Sequence, residues 1–150
     1  MSDQRFNPYF AVFLIFQKAN KVLLSKRANT GHQDGNYSMV SGHVDGGESF
    51  IAATVREGLE EAGVKIEPND LNLKYTLHFT RLDLTYICAF FSLDRWQGEI
   101  TNMEPKKCDD LSWFEIDNLP ENTVDYVRFV LQDIQNGKNF GTFGFGDQTN

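Results

Sequence analysis

The chain has 150 residues, 41% of them hydrophobic and 23% charged, which suits one domain spanning 1–150 that buries about two-thirds of its unfolded surface. Its formal net charge of −7 argues against a nucleic-acid polymer or an anionic membrane as partner, because both are bound by clustered Lys and Arg. No apolar run reaches the ~20 residues of a membrane span and residues 1–8 hold no apolar signal core, so a soluble, cytoplasmic protein is expected, with Cys88 and Cys108 as free thiols.

Residues 9–16 are apolar throughout and rich in aromatic and β-branched side chains, which predicts a strand covered on both faces. Residues 18–21 form a polar turn, and 22–27 read as the returning strand, ending at Arg27. Residues 28–36 are a loop by composition, and a short strand follows over 37–40.

The stretch 42–64 opens with Gly42, Gly46 and Gly47 and continues as a helix over about 49–62. Gly63 stands where a left-handed cap is wanted, and Pro68 bars continuation. On a wheel of 3.6 residues per turn, Ile51, Ala52, Val55, Leu59 and Ala62 fall together as the core face. Glu57, Glu60 and Glu61 fall opposite them, at spacings that make helical side chains neighbours. Three carboxylates in one patch repel unless a cation lies between them, and a hard divalent ion with oxygen ligands answers that need. Arg56–Glu60 and Glu61–Lys65 are also spaced as i, i+4 pairs.

Further strands are expected over 73–80 and 84–93, then a loop over 96–105 and a strand over 111–115 in which one of Trp113 and Phe114 faces the core. An amphipathic helix runs from about 122 to 136 and is closed by Gly137. The tail 140–146 alternates Phe with Gly. An edge strand, a cover over a pocket and a contact with another subunit all remain open for it.

The stretch Gly42, Glu48, Arg56-Glu57-Gly58-Leu59-Glu60-Glu61-Ala62-Gly63-Val64 resembles the Nudix box, the signature of hydrolases that cleave nucleoside diphosphates linked to another group. Every fixed polar and glycine position is matched; Gly58 departs from the pattern, which prefers an apolar residue there. A mid-helix Gly costs roughly 0.5–1 kcal/mol relative to Ala, so it either loosens the helix or admits a close neighbour.

The resemblance implies an α/β fold, an α/β/α sandwich with a mixed sheet flanked by helices, and a pyrophosphohydrolase activity on a small nucleotide. It implies Mg²⁺, with Mn²⁺ as a substitute, held by Glu57, Glu60 and Glu61, with Arg56 keeping the carboxylates in position and Glu57 combining ligand and base roles. By the same resemblance a further metal carboxylate comes from the 96–105 loop, where Glu104 is preferred and Glu99 is the rival. Arg27 and the Gly42 segment are expected to approach substrate phosphate. Phe79 and Arg81 are candidate substrate contacts, with His78 and Tyr86 as further pocket residues; aromatics would stack a base and Arg81 would meet phosphate. A nucleoside triphosphate, oxidised or not, is the leading substrate class, followed by ADP-ribose or a nucleotide sugar; a non-catalytic nucleotide sensor is the alternative from another class. Oligomeric state is left open, a homodimer being compatible with the sequence.

Overall fold

The computed structural model describes residues 5–146, so residues 1–4 of the N-terminal stretch read above lie outside it. Ten residues form β1 (Tyr9–Lys18), followed by β2 (Lys21–Arg27), β3 (Tyr37–Ser38) and β4 (Val40–His43). Helix α1 (Phe50–Ala62) leads through a 3-10 turn at Pro68–Asp70 into the hairpin β5 (Asn72–Arg81) and β6 (Leu84–Leu93). Strand β7 (Cys108–Glu115), helix α2 (Asp125–Gln135) and β8 (Phe140–Phe143) complete the order.

The sheet is mixed, in the order β3-β2-β1-β6-β5-β8, with β4 also paired to β1 and β7 to β2. Strands β1 and β6 run parallel, as do β5 and β8, and the other pairings are antiparallel. The tail is thus an edge strand. Its register places Phe143 beside Phe79.

Strand β1 explains its own composition. Ala11, Phe13 and Ile15 point to the face covered by α2, while Val12, Leu14 and Phe16 point to the face covered by α1. Both faces are therefore apolar, and no polar alternation is tolerated. The same two-sided burial corrects the reading of β7: Phe114 packs with the α2 cluster and Trp113 with the α1 cluster, so both are used.

One topological feature positions the site. The edge of β1 not occupied by β6 pairs with β4 over Ala11–Leu14 and with β2 only at Gln17 and Lys18. Strands β2 and β4 diverge from there, and the sheet forks. The expected strand over 37–40 is accordingly two: β3 pairs with β2, and the chain crosses the fork at Met39 to pair with β1 as β4.

Helix α1 is capped as its sequence dictates. The Ser49 side chain accepts from the Ala52 amide, and Gly63 adopts φ 69°, a left-handed conformation in which a Cβ is strained. Its seating differs from the wheel reading. The buried residues are Ala53, Thr54, Glu57, Gly58 and Ala62, whereas Ala52 is exposed and Leu59 is 59% exposed. Size decides this rather than hydrophobicity: a Cβ on Gly58 would collide with the end of Ile66 and crowd Leu14. The Gly58 departure therefore admits a close neighbour. Glu57 consequently lies on the seated side, and Glu60 is the exposed member of the three glutamates.

Candidate active site

The fork opens a cleft of about 570 Å³, lined on one side by Glu57, Glu60 and Glu61 of α1 and on the other by Arg27, Lys107 and Leu111. Arg56 organises the acidic side. Its Nε and Nη2 donate to the two oxygens of Glu48, at 2.8 and 3.0 Å. Its Nη1 donates to Glu57 Oε1 at 2.7 Å and Glu60 Oε2 at 3.2 Å, and Nη2 also reaches the His43 carbonyl at 3.0 Å. A planar guanidinium is suited to this, since its five donors form a rigid fork. The Arg56 hydrogen bond, helped by the Asp45 amide, pulls the Glu48 carboxyl down to about 2.

Glu61 does not join Lys65 in an ion pair among the described residues. One of its oxygens instead accepts from the Ser41 amide at 3.1 Å. Burial, and then the neighbouring Glu57 charge, push its carboxyl up to about 8, with Glu104 adding to the rise. Burial also raises Glu57, against the opposing pull of Arg56. The acids therefore sit where their combined negative charge is unfavourable.

Glu104 reaches this cluster through backbone bonds that the sequence does not reveal. The Thr101 and Met103 amides donate to the Ala62 and Glu61 carbonyls at the end of α1. The Asn102 side chain then bridges the Glu104 amide and the Cys108 carbonyl. Glu104 lines the cleft, whereas Glu99 is exposed and does not.

Among the described residues, no three acidic, His or Cys groups converge as a ready-made metal shell. The donor chemistry nevertheless fits a hard divalent cation. Asp45, Glu57, Glu60, Glu61 and Glu104 line one cleft, and the ionised forms of Glu57 and Glu61 are penalised there by burial and by neighbouring carboxylates, which a cation would relieve.

A second cavity of about 180 Å³ lies on the α2 face, with Ala11, Phe13 and Cys88 in its floor and Phe79, Arg81, Tyr86 and Tyr126 around it. Arg27, Ser41, Gly42 and His43 line both cavities, so the two adjoin at the fork. Arg27 is braced there by bonds from Nε to the His32 carbonyl at 2.7 Å and from Nη2 to Thr30 Oγ1 at 3.2 Å. Phe79, Arg81 and Tyr86 line this cavity together, whereas His78 packs on Phe145. Tyr126, Ser41, Asn102 and Asp125 went unrecognised in the sequence. Tyr126 could have been found, since it stands on the apolar face of α2; the others carry no local signal. Asp110 is engaged by the Tyr37 hydroxyl and Ser112.

A family model for the NUDIX domain matches residues 5–132. The chain is 28% identical over 119 residues to the NAD-capped RNA hydrolase NudC of Shigella dysenteriae and 27% identical to that of Escherichia coli. It spans less than half the length of these relatives, 44% in each case, while the matches take in 78% of this chain. The fold is shared with a MutT NUDIX hydrolase from Burkholderia pseudomallei, at a TM-score of 0.78 and 23% identity, over 85% of this chain and 98% of that one. It is shared also with a MutT protein from Methanosarcina mazei, at a TM-score of 0.77 and 17% identity, over 89% and 98% of the two chains. With the box intact and the family model spanning most of its length, the chain belongs to the Nudix family.

Proposed function

We propose that this chain hydrolyses the diphosphate linkage of a small nucleotide, with a nucleoside triphosphate, oxidised or not, as the leading substrate class. The observation that carries this reading is the adjacency, at Arg27, of an aromatic cavity on the α2 face and a cleft lined by Glu57, Glu60, Glu61 and Glu104. A nucleoside ring would rest against Phe79 and Tyr126, and its phosphates would thread the fork. Lys107 lines the far cleft and forms no ion pair among the described residues, which favours a leaving group that carries charge of its own. Pyrophosphate released from a triphosphate meets that condition with more charge than the sugar phosphate released from ADP-ribose. ADP-ribose or a nucleotide sugar is the alternative.

Glu57, Glu60, Glu61 and Glu104 would hold Mg²⁺, or Mn²⁺ in its place. Bound there, such ions would supply neutralisation of diphosphate charge and a lowered pKa for an attacking water. Arg27 binds phosphate oxygens, and Arg56 keeps Glu57 and Glu60 facing the reaction. Water forms the new P–O bond, the anhydride P–O bond breaks, and the water proton passes to the Glu57 carboxylate. General-base catalysis of this kind typically contributes about 10²–10⁴-fold. The cleft also has the volume for a second nucleoside, and the NudC relatives are named for NAD-capped RNA, so a dinucleotide is the second reading.

A release assay tests the proposal across nucleoside triphosphates, ADP-ribose, NAD and NAD-capped RNA, with Mg²⁺ and with chelator. Metal-dependent turnover of a small nucleotide is expected. Turnover that survives chelation would overturn the metal role, turnover confined to capped RNA would overturn the small-substrate reading, and binding without turnover would mark a sensor.

A further inference from the structure

One wall of the second cavity is made by the Arg81 side chain. Arg81 is the last residue of β5, ahead of Leu82 and Asp83, which take φ values of 52° and 64° in the turn. Its guanidinium carbon lies 5.5 Å from the centroid of the Phe79 ring and 5.8 Å from that of Tyr126, close enough for attraction to both π faces. Those two rings are themselves 4.6 Å apart. A long side chain at a strand end loses considerable rotamer freedom when fixed this way.

Asp125 supplies the restraint. Its Oδ2 accepts from Arg81 Nη2 at 2.7 Å, while its Oδ1 accepts from the Tyr126 amide at 2.8 Å. One oxygen thus ties the carboxylate to the start of α2 and the other holds the guanidinium. Negative charge is favoured at this end of a helix, whose first amides lack partners. Asp125 does not line the cavity, whereas Arg81, Phe79 and Tyr126 do.

We propose that Asp125 is a positioning residue that sets nucleoside affinity by pinning Arg81 over Phe79 and Tyr126 as one wall of the cavity. The inference rests on the reading that this cavity takes the nucleoside of the substrate. It assigns the Arg81–Asp125 pair to ground-state binding and leaves the chemistry to the α1 carboxylates.

The test is a set of kinetic measurements on wild type, Asp125→Asn, Asp125→Glu, Arg81→Ala and the Arg81→Ala/Asp125→Asn double variant. Asp125→Asn should raise KM about three- to fivefold with kcat within about twofold, as suits a partly exposed ion pair. Asp125→Glu should recover part of the loss, and the double variant should be no worse than Arg81→Ala. A merely structural role would lower Tm without this KM-against-kcat split. An unchanged KM in Asp125→Asn, or additive losses in the double variant, overturns the proposal. If wild type turns over nothing on the substrate panel, the proposed function fails, and calorimetric binding of AMP and GMP still reads the pair. Weaker binding by Asp125→Asn then supports it. Equal affinity, or no binding to wild type, overturns it.

Discussion

The carboxylate of Glu57 fills the space that a side chain at Gly42 would need: a Cβ on Gly42 would collide with Oε1 and Cδ of Glu57. Gly42 is required here for close approach and not for a left-handed backbone, since its φ is not among the positive ones. Gly42→Ala should therefore fold and yet lose activity. Displacing a catalytic group by about 1 Å can cost about 10²-fold, so kcat should fall by that order while thermal unfolding stays cooperative. Wild-type turnover in Gly42→Ala would show that the position of Glu57 is immaterial.

Glu48 gives an acid-side test of the Arg56 clamp. Its carboxyl is held at about 2, against an ordinary 4.5, chiefly by the Arg56 hydrogen bond. A depressed carboxyl stabilises the folded chain above the unfolded pKa and loses that contribution as the folded group protonates. The stability difference between wild type and Glu48→Gln should be full at pH 6 and shrink from about pH 4.5 toward 2, as followed by denaturant unfolding. A gap that is constant with pH would mean the charge of Glu48 contributes nothing.

Glu61 should act in the opposite sense. Its carboxyl lies at about 8 in the fold, above the ordinary 4.5, because of burial and the nearby Glu57 charge. The unfolded chain then binds fewer protons than the folded one between those values. Without metal, stability is full below about pH 4.5 and declines as pH rises through about 8. Glu61→Gln should flatten the decline. Mg²⁺ should raise Tm more at pH 8.5 than at pH 5.5, because a carboxylate must be deprotonated to bind a metal. Equal Mg²⁺ shifts at both pH values would remove Glu61 from the ligand set.

At Gly58, helix propensity and packing compete. Ala would gain about 1 kcal/mol of propensity, but its Cβ meets the terminal methyl of Ile66, which is 2% exposed and confined. Overpacking of this kind costs about 1–3 kcal/mol, so Gly58→Ala should be net destabilising. Ile66→Val removes the offending methyl at a cost of about 1 kcal/mol. Adding Gly58→Ala to that variant should raise its Tm, and a further drop would refute the proposed contact.

The loop carboxylates separate cleanly. Glu104→Gln should reduce kcat/KM by about tenfold or more and weaken Mg²⁺ dependence. Glu99→Gln should behave as wild type within about twofold, because Glu99 faces solvent away from the cleft. Matching rates in both variants would take the loop out of the metal site.

What the sequence determined by itself was local. The apolar run of β1 announced a doubly covered strand because both faces lie under helices. Gly63 announced the end of α1 because a left-handed cap is a backbone matter. The Arg-Glu and Glu-Glu spacings placed four charged groups on adjacent turns, which needs only helical geometry. Tertiary structure decided the rest. The wheel could not tell that small residues, not Leu59, would seat α1, because that choice depends on Ile66 and Leu14 across the interface. It could not place Glu104, which is carried in by amides bonded to the end of α1. Nor could it join Arg27, Gly42 and Phe79 around one cavity, since the fork exists only once β1 has divided its edge between β2 and β4. Periodicity reports a residue's own element. Space between elements is set by partners far along the chain, and the site lies in that space.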